Sequence, residues 1–317
     1  MKKLKIVSVV ILVAIATVML ASCVRVHKLE GKATLTETLE KEGYVLSWSD
    51  EFDSERLDTS KWKSGYTSPA RRGGYYLNDE ETVFVSDGAL TIRTRYLENG
   101  VYGAGWYTGW LESATYRTGH NNVIPDNYTG FAAKYGYFEV RCVCPAATGI
   151  WSAFWLMPNG GKGMHADDVI GTGSDGVEID VMESPYMYKL SNKERVTHVI
   201  HADGYGEHAV SASSDFYKVK GMYEEYHTYG VMWTETEYVF YIDGIETWRT
   251  DMSVGDTRYG VSEVEEYILL TVEVGGVTED GLTAVPGKDS WCGDPMKNDK
   301  DKVYDFKVDY VRYYSKN

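Results

Sequence analysis

From Val177 to Glu183 the chain reads Val-Glu-Ile-Asp-Val-Met-Glu. Side chains of a strand alternate between its two faces, so Glu178 and Asp180 point one way while Ile179 and Val181 point the other. A regular strand would turn Glu183 to the apolar face, where an unpaired carboxylate is costly. One bulge residue near Val181-Met182 returns Glu183 to the side of the other two acids. Three carboxylates in a row repel one another, and this spreads their pKa values. Such a pair suits double displacement at a glycosidic carbon: one carboxylate stays ionised as nucleophile, and the other keeps a proton for the leaving oxygen. Asp180, between them, is placed to share a hydrogen bond with the nucleophile. The same spacing also describes a solvated edge strand with three exposed acids. It also describes a calcium site, because that ion takes oxygen ligands.

The elements that must position these acids read as strands. Ala89 to Arg95 alternates apolar and polar residues after Ser86-Asp87-Gly88, and Tyr137 to Cys144 alternates as well. Tyr238 to Ile242 meets Asp243-Gly244, a strong two-residue hairpin signal, and Ile245 to Trp248 returns. Phe306 to Tyr314 is the last strand. Val264 to Val274 has a helix-like beginning, but its β-branched end and the Gly275-Gly276 stop favour a strand. Composition agrees, with 26 tyrosines, 9 tryptophans, 32 glycines and only 7 prolines in 317 residues. The expected architecture is all-β, a sandwich of two antiparallel sheets. Asn159 to Gly176 holds six glycines and few core-type residues, and it feeds directly into the acidic strand. It reads as a loop that either shapes a cleft or is a plain surface insertion.

The 47 acidic and 32 basic residues leave a net charge of −15 and a pI near 4.9, which argues against nucleic acid or anionic lipid as partner. A hydrophobic content of 43% is enough for a packed core and excludes disorder. Lys2, Lys3 and Lys5 precede an apolar run from Ile6 to Ala21, too short for a typical span and suited to a signal peptide. Its end, Leu20-Ala21-Ser22-Cys23, resembles the bacterial lipobox. That implies a signal peptide over 1–22, lipidation of Cys23, and a protein exported and anchored to the cell envelope by its lipid alone. Residues 23–43 are polar and read as a tether, with the domain over 44–317. Cys142, Cys144 and Cys292 form no disulfide framework. The first two share a strand face and read as small core residues.

Glu178-Ile179-Asp180-Val181-Met182-Glu183 resembles the bulged signature of glycoside hydrolase family 16. The resemblance extends over most of Tyr44 to Tyr314. Trp48-Ser49-Asp50-Glu51-Phe52-Asp53, with Leu57-Asp58 and Lys61-Trp62, is similar to the family's opening. Tyr135 to Arg141 resembles its central cleft strand, and Gly149 to Leu156 the next one. His227-Thr228-Tyr229-Gly230, Trp233 and Asp243-Gly244 also fit, and Val308 to Arg312 resembles the closing strand. The resemblance implies a concanavalin A-like β-jelly-roll with a concave cleft. It also implies Glu178 as nucleophile, Asp180 as its helper and Glu183 as acid/base, with no cofactor in catalysis. Glu139, Arg141, Trp151, Trp155 and His201 match positions expected to meet the sugar chain. Glu51 or its backbone, the Gly88 carbonyl and the Asp309 carboxylate match a structural calcium site found in many members. The sequence departs from many glucan-cleaving members just before the signature, where Ser174-Asp175-Gly176-Val177 replaces a tryptophan. A stacking platform is then missing, or supplied by Trp106, Trp110 or Trp291. The expected activity is retaining endo-hydrolysis of β-1,3- or β-1,3-1,4-glucan by a monomer whose partner is its polysaccharide. The alternatives are a β-galactose-containing glycan, such as agar, carrageenan or a host O-glycan, and a non-catalytic sugar-binding jelly roll. The acidic balance disfavours sulfated polymers.

Overall fold

The computed structural model of the chain describes residues 25–65, 72–116, 124–160, 169–185, 193–275 and 292–316. The signal peptide, Cys23, Trp291 and residues 161–168 of the glycine-rich segment therefore lie outside the described residues.

Two ten-stranded sheets face each other. The front sheet runs in the order Val26–Lys28, Phe216–Lys218, Arg195–Ala202, Glu178–Pro185, Ile150–Pro158, Glu266–Val274, Trp110–Glu112 and Lys63–Ser64. The back sheet runs Ile245–Thr250, Tyr238–Ile242, His227–Trp233, Gly136–Val143, Val303–Lys316, Ala89–Gly100, Gly103–Thr108 and Gly74–Tyr76. Four further strands pair onto these sheets and Ser253–Val254 with Thr257–Arg258 forms a separate ribbon; neighbours are antiparallel apart from Val26–Lys28 with Phe216–Lys218 and Gly74–Tyr76 with Gly103–Thr108. The all-β sandwich expected from the alternation is thus the observed architecture. Glu266–Val274 is a strand, as its β-branched end indicated.

The turn residues act as read. Asp243 and Gly244 have φ of 49° and 73° and close the hairpin between Ile242 and Ile245. Two consecutive left-handed residues are what the primed two-residue turn requires. The main core lies between the sheets, where Phe154, Ile179, Val181, Met182, Val196 and Ile200 from the front meet Phe138, Val140, Cys142, Val231 and Phe240 from the back. Cys142 and Cys144 are buried, unbridged thiols in this core.

The tether reading is corrected over 25–43. Val26–Lys28 extends the front sheet beside Phe216–Lys218, and His27 Nε2 lies 2.9 Å from Asp215 Oδ2. The Ala33 amide donates to the Asp243 carbonyl at 2.8 Å. A six-residue helix, Thr36–Lys41, then lays Leu39 onto Tyr137, Met232, Val239 and Tyr314 on the outer face of the back sheet. The segment's polarity hid this docking because it rests on one buried leucine and on backbone pairing. Leu39→Ala should therefore destabilise the protein by about 2–3 kcal/mol through lost burial and a residual cavity. Thermal unfolding measures this, and an unchanged Tm would restore the tether reading.

Candidate active site

The acidic strand forms the floor of a cavity of about 680 Å³ on the front sheet. Its register contains the expected bulge. Phe154 pairs with Met182 and Trp155 with Asp180, so the ladder skips Val181. On the other side Asp180 pairs with Val199 and Glu183 with Thr197, leaving Val181 and Met182 together opposite His198. Both bulge residues send their side chains into the main core. Glu178, Asp180 and Glu183 consequently line one cavity wall. The solvated-strand alternative fails here, since the three residues are only 7%, 4% and 9% exposed.

Burial and mutual repulsion shape the protonation of this row. Burial first, then Glu178, Glu183 and Glu273, hold Asp180 well above the usual carboxylate range. Burial, then Glu178 and Glu273, push Glu183 up to about 8, with Arg72 and the Trp151 indole pulling the other way. Glu183 therefore carries a proton at neutral pH. The Tyr205 hydroxyl donates to Glu178 Oε2. His201 stands directly across from Glu178 in register, its Nε2 4.0 Å from Glu178 Oε1 and 3.5 Å from Asp180 Oδ2. Burial lowers the pKa of its ring.

Trp151, Trp155 and His201 all line the cavity, as the resemblance implied. Trp155 is fixed by an Nε1–H donated to Thr271 Oγ1 at 3.0 Å and by Trp110 packed edge-on behind it, ring centroids 5.5 Å apart. Trp110 is thus a support for Trp155. Trp106 lies in the back sheet, packed on Tyr96 and Tyr304, and is no platform for sugar. Among the described residues of the glycine-rich segment none lines the cavity. Gly171 is tied to the Asp203 carboxylate by its amide at 2.9 Å.

Glu139 and Arg141 require correction. Their strand belongs to the back sheet, and their shared face points away from the core and the cavity. Glu139 accepts hydrogen bonds from the Tyr137 and Tyr310 hydroxyls, each at 2.8 Å. Arg141 pairs with Asp309 at 2.5 Å and covers the Tyr226 ring. Alternation identified the face that these residues share, but not which sheet their strand joins. The side chains at the expected calcium positions are engaged by other residues. Glu51 is engaged by Arg312 through two hydrogen bonds of 3.0 and 2.7 Å, and Asp309 is taken by Arg141. A guanidinium already neutralises each carboxylate, while Gly88 occupies the positive-φ corner of its hairpin.

Arg72, Glu273, Thr271 and Tyr205 complete the cavity and were not singled out from sequence. The guanidinium of Arg72 lies 4.9 Å from the Trp151 ring centroid and pairs with Glu273. Gly73 makes this possible. Its amide donates to the Val274 carbonyl at 2.9 Å, and a Cβ there would collide with the Gly275 carbonyl. The signals available were a carboxylate closing a β-branched strand, and an arginine before a glycine pair. Both gain meaning only once residues 72 and 273 are known to be neighbours.

This site sits in a domain of known kind. The family model described as "Beta-porphyranase A-D, GH16 domain" matches residues 44–316, and the chain belongs to this branch of glycoside hydrolase family 16. It is 28% identical to "Glucan endo-1,3-beta-glucosidase A1" of Niallia circulans, over 86% of this chain and 38% of that protein. It is also 28% identical to "Beta-porphyranase B" of Zobellia galactanivorans (strain DSM 12802), over 78% of this chain and 83% of that protein. The chain spans only 33% to 39% of the length of the glucanase relatives it matches. A solved structure from work on endo-acting O-glycanases of the human gut microbiota that initiate mucin breakdown shares the fold. It superposes with a TM-score of 0.61 at 21% identity, covering 87% of this chain and 92% of that one.

The raised pKa of Glu183 has a consequence for stability. An unfolded glutamate titrates near roughly 4.3. The folded group contributes fully below that value, and its contribution is lost as pH rises through about 8. Glu183→Gln, which stays neutral, should gain in Tm over the parent progressively between those limits. A Tm difference independent of pH would mean that Glu183 ionises as an exposed acid does.

Proposed function

We propose that the chain is a retaining, endo-acting glycoside hydrolase of β-linked polysaccharide. One observation carries this reading: the bulge sets Glu178 and Glu183 on the same cavity wall while burial keeps Glu183 protonated near neutral pH. Glu178, steadied by the Tyr205 hydroxyl, attacks the anomeric carbon. Glu183 gives its proton to the departing glycosidic oxygen as that bond breaks. Asp180, held well above the usual carboxylate range, lies between the two and limits the charge on the row. The glycosyl–enzyme ester then falls to a water molecule that passes a proton back to Glu183. Two inversions leave the β configuration unchanged. A purely sugar-binding role is disfavoured because recognition alone gives no reason to bury three mutually repelling acids.

For the glycan, we favour a β-galactose-containing chain over the glucan expected at first. The match of the porphyranase-type family model to the whole domain supports this. So does the lack of a tryptophan at 174–177. Similarity to the Niallia glucosidase over 86% of the chain supports the glucan as second reading. The signal and lipobox pattern supports action outside the cytoplasm from a lipid-anchored protein.

Incubation with porphyran, agarose, carrageenan, mucin O-glycans, laminarin and barley glucan, with NMR of the first-formed anomer, tests both levels. A β-anomer released from a galactan is expected. An α-anomer would overturn the retaining mechanism, and activity on laminarin alone would restore the glucan. Glu178→Gln should abolish turnover with the fold intact. Glu183→Ala should lose about 10²–10⁴-fold in kcat/KM on the natural glycan. With an activated aryl leaving group that needs no acid it should lose little. Equal losses on both substrates would remove Glu183 from the acid role.

A further inference from the structure

The bulge takes Val181 out of the strand pairing, and one buried histidine meets its carbonyl. His198 faces the core from Arg195–Ala202, the side opposite His201, and is fully buried. Its Nδ1 lies 2.6 Å from the carbonyl of Val181, the residue that the strand ladder skips. Its Nε2 lies 2.9 Å from Thr247 Oγ1. Thr247 is itself the extra residue of a second irregularity, in the back sheet, where Tyr241 pairs with Glu246 and Phe240 with Trp248. The ring is stacked on Phe240 at 4.8 Å between centroids. A chain of two hydrogen bonds thus crosses the sandwich from one bulge to the other.

The proton positions follow from the partners. A carbonyl can only accept, so Nδ1 carries a hydrogen and donates to Val181. Burial disfavours a charged ring, with the pKa lowered to about 4, so Nε2 is unprotonated and accepts from the Thr247 hydroxyl. Phe240 O, at 3.0 Å, is the other acceptor within reach of that hydroxyl. The ring is therefore fixed in one tautomer and one orientation.

We infer that His198 is a positioning residue that holds the Val181-Met182 bulge through the Val181 carbonyl and so keeps Glu183 turned into the cleft. Without the ring, that carbonyl is a buried acceptor with no donor from His198, at a cost that favours re-pairing into a regular strand. A regular strand turns Glu183 toward the core. The inference rests on the acid/base reading of Glu183 for its kinetic consequence, but its structural consequence stands apart from that reading.

The test compares His198→Leu, His198→Asn and Thr247→Val with the parent, with Glu183→Ala as control. His198→Leu removes both polar atoms at similar volume. It should lower kcat/KM on the natural glycan about 10²-fold, the scale expected for a catalytic group displaced by about 1 Å. KM should change little, and an aryl glycoside with an activated leaving group should lose less than about threefold, because that step needs no proton. His198→Asn, whose amide nitrogen can occupy the Nδ1 position, should recover most of the loss, and Thr247→Val should fall between. If His198→Leu does not fold, the other two variants carry the comparison. A loss equal on both substrates, or tracking Tm alone, would assign His198 to stability and overturn the inference. So would a crystal structure of His198→Leu in which Glu183 still faces the cleft, whatever the kinetics. Failure of the acid reading is seen separately, as Glu183→Ala showing no dependence on the leaving group.

Discussion

One extra residue in a strand sets the character of this molecule. Without it, the alternation of a β-strand would divide the acids between solvent and core. With it, three carboxylates share a wall, and two consecutive apolar side chains share the interior. The displaced ladder must be compensated, and His198 and the packing of Val181 and Met182 do so. The electrostatics follow from the same geometry: buried acids held side by side cannot all ionise readily, so burial and repulsion raise the pKa values of Asp180 and Glu183.

The surroundings of the row moderate that repulsion. His201 approaches Glu178 from the next strand and Tyr205 from the turn after it, Trp151 and Trp155 form the apolar side, and Arg72 with Glu273 places an ion pair at the far end. Glu273 and Arg72 act on Glu183 in opposite senses, so their pairing keeps the local field from moving far in either direction. Among the described residues no strand of the back sheet lines the cavity, and that sheet acts through the core and through Thr247.

Local rules made much of this readable. The hairpin at Asp243-Gly244, the strand at Glu266–Val274 and the bulge itself follow from φ requirements, periodicity and the cost of burying a lone acid. The errors came where an answer depended on distant pairing. Glu139 and Arg141 alternate correctly but lie in the other sheet. Arg72 and Glu273 are 201 positions apart and become legible only through the contact of residues 73 and 274. His198, on an apolar face, had no local sign of a partner 49 positions away. The docked segment 26–41 was hidden by its own polarity, since backbone pairing leaves little mark on composition.

That docked segment also bears on where the enzyme can reach. Val26 is paired into the margin of the front sheet beside Phe216, an aromatic that belongs to the cavity rim. Three positions separate it from Cys23, a stretch that spans about 10 Å at full extension. Anything attached at Cys23 is held on a leash hardly longer than two sugar rings. Under the proposed lipid anchor, that short reach would keep the margin of the front sheet beside the bilayer.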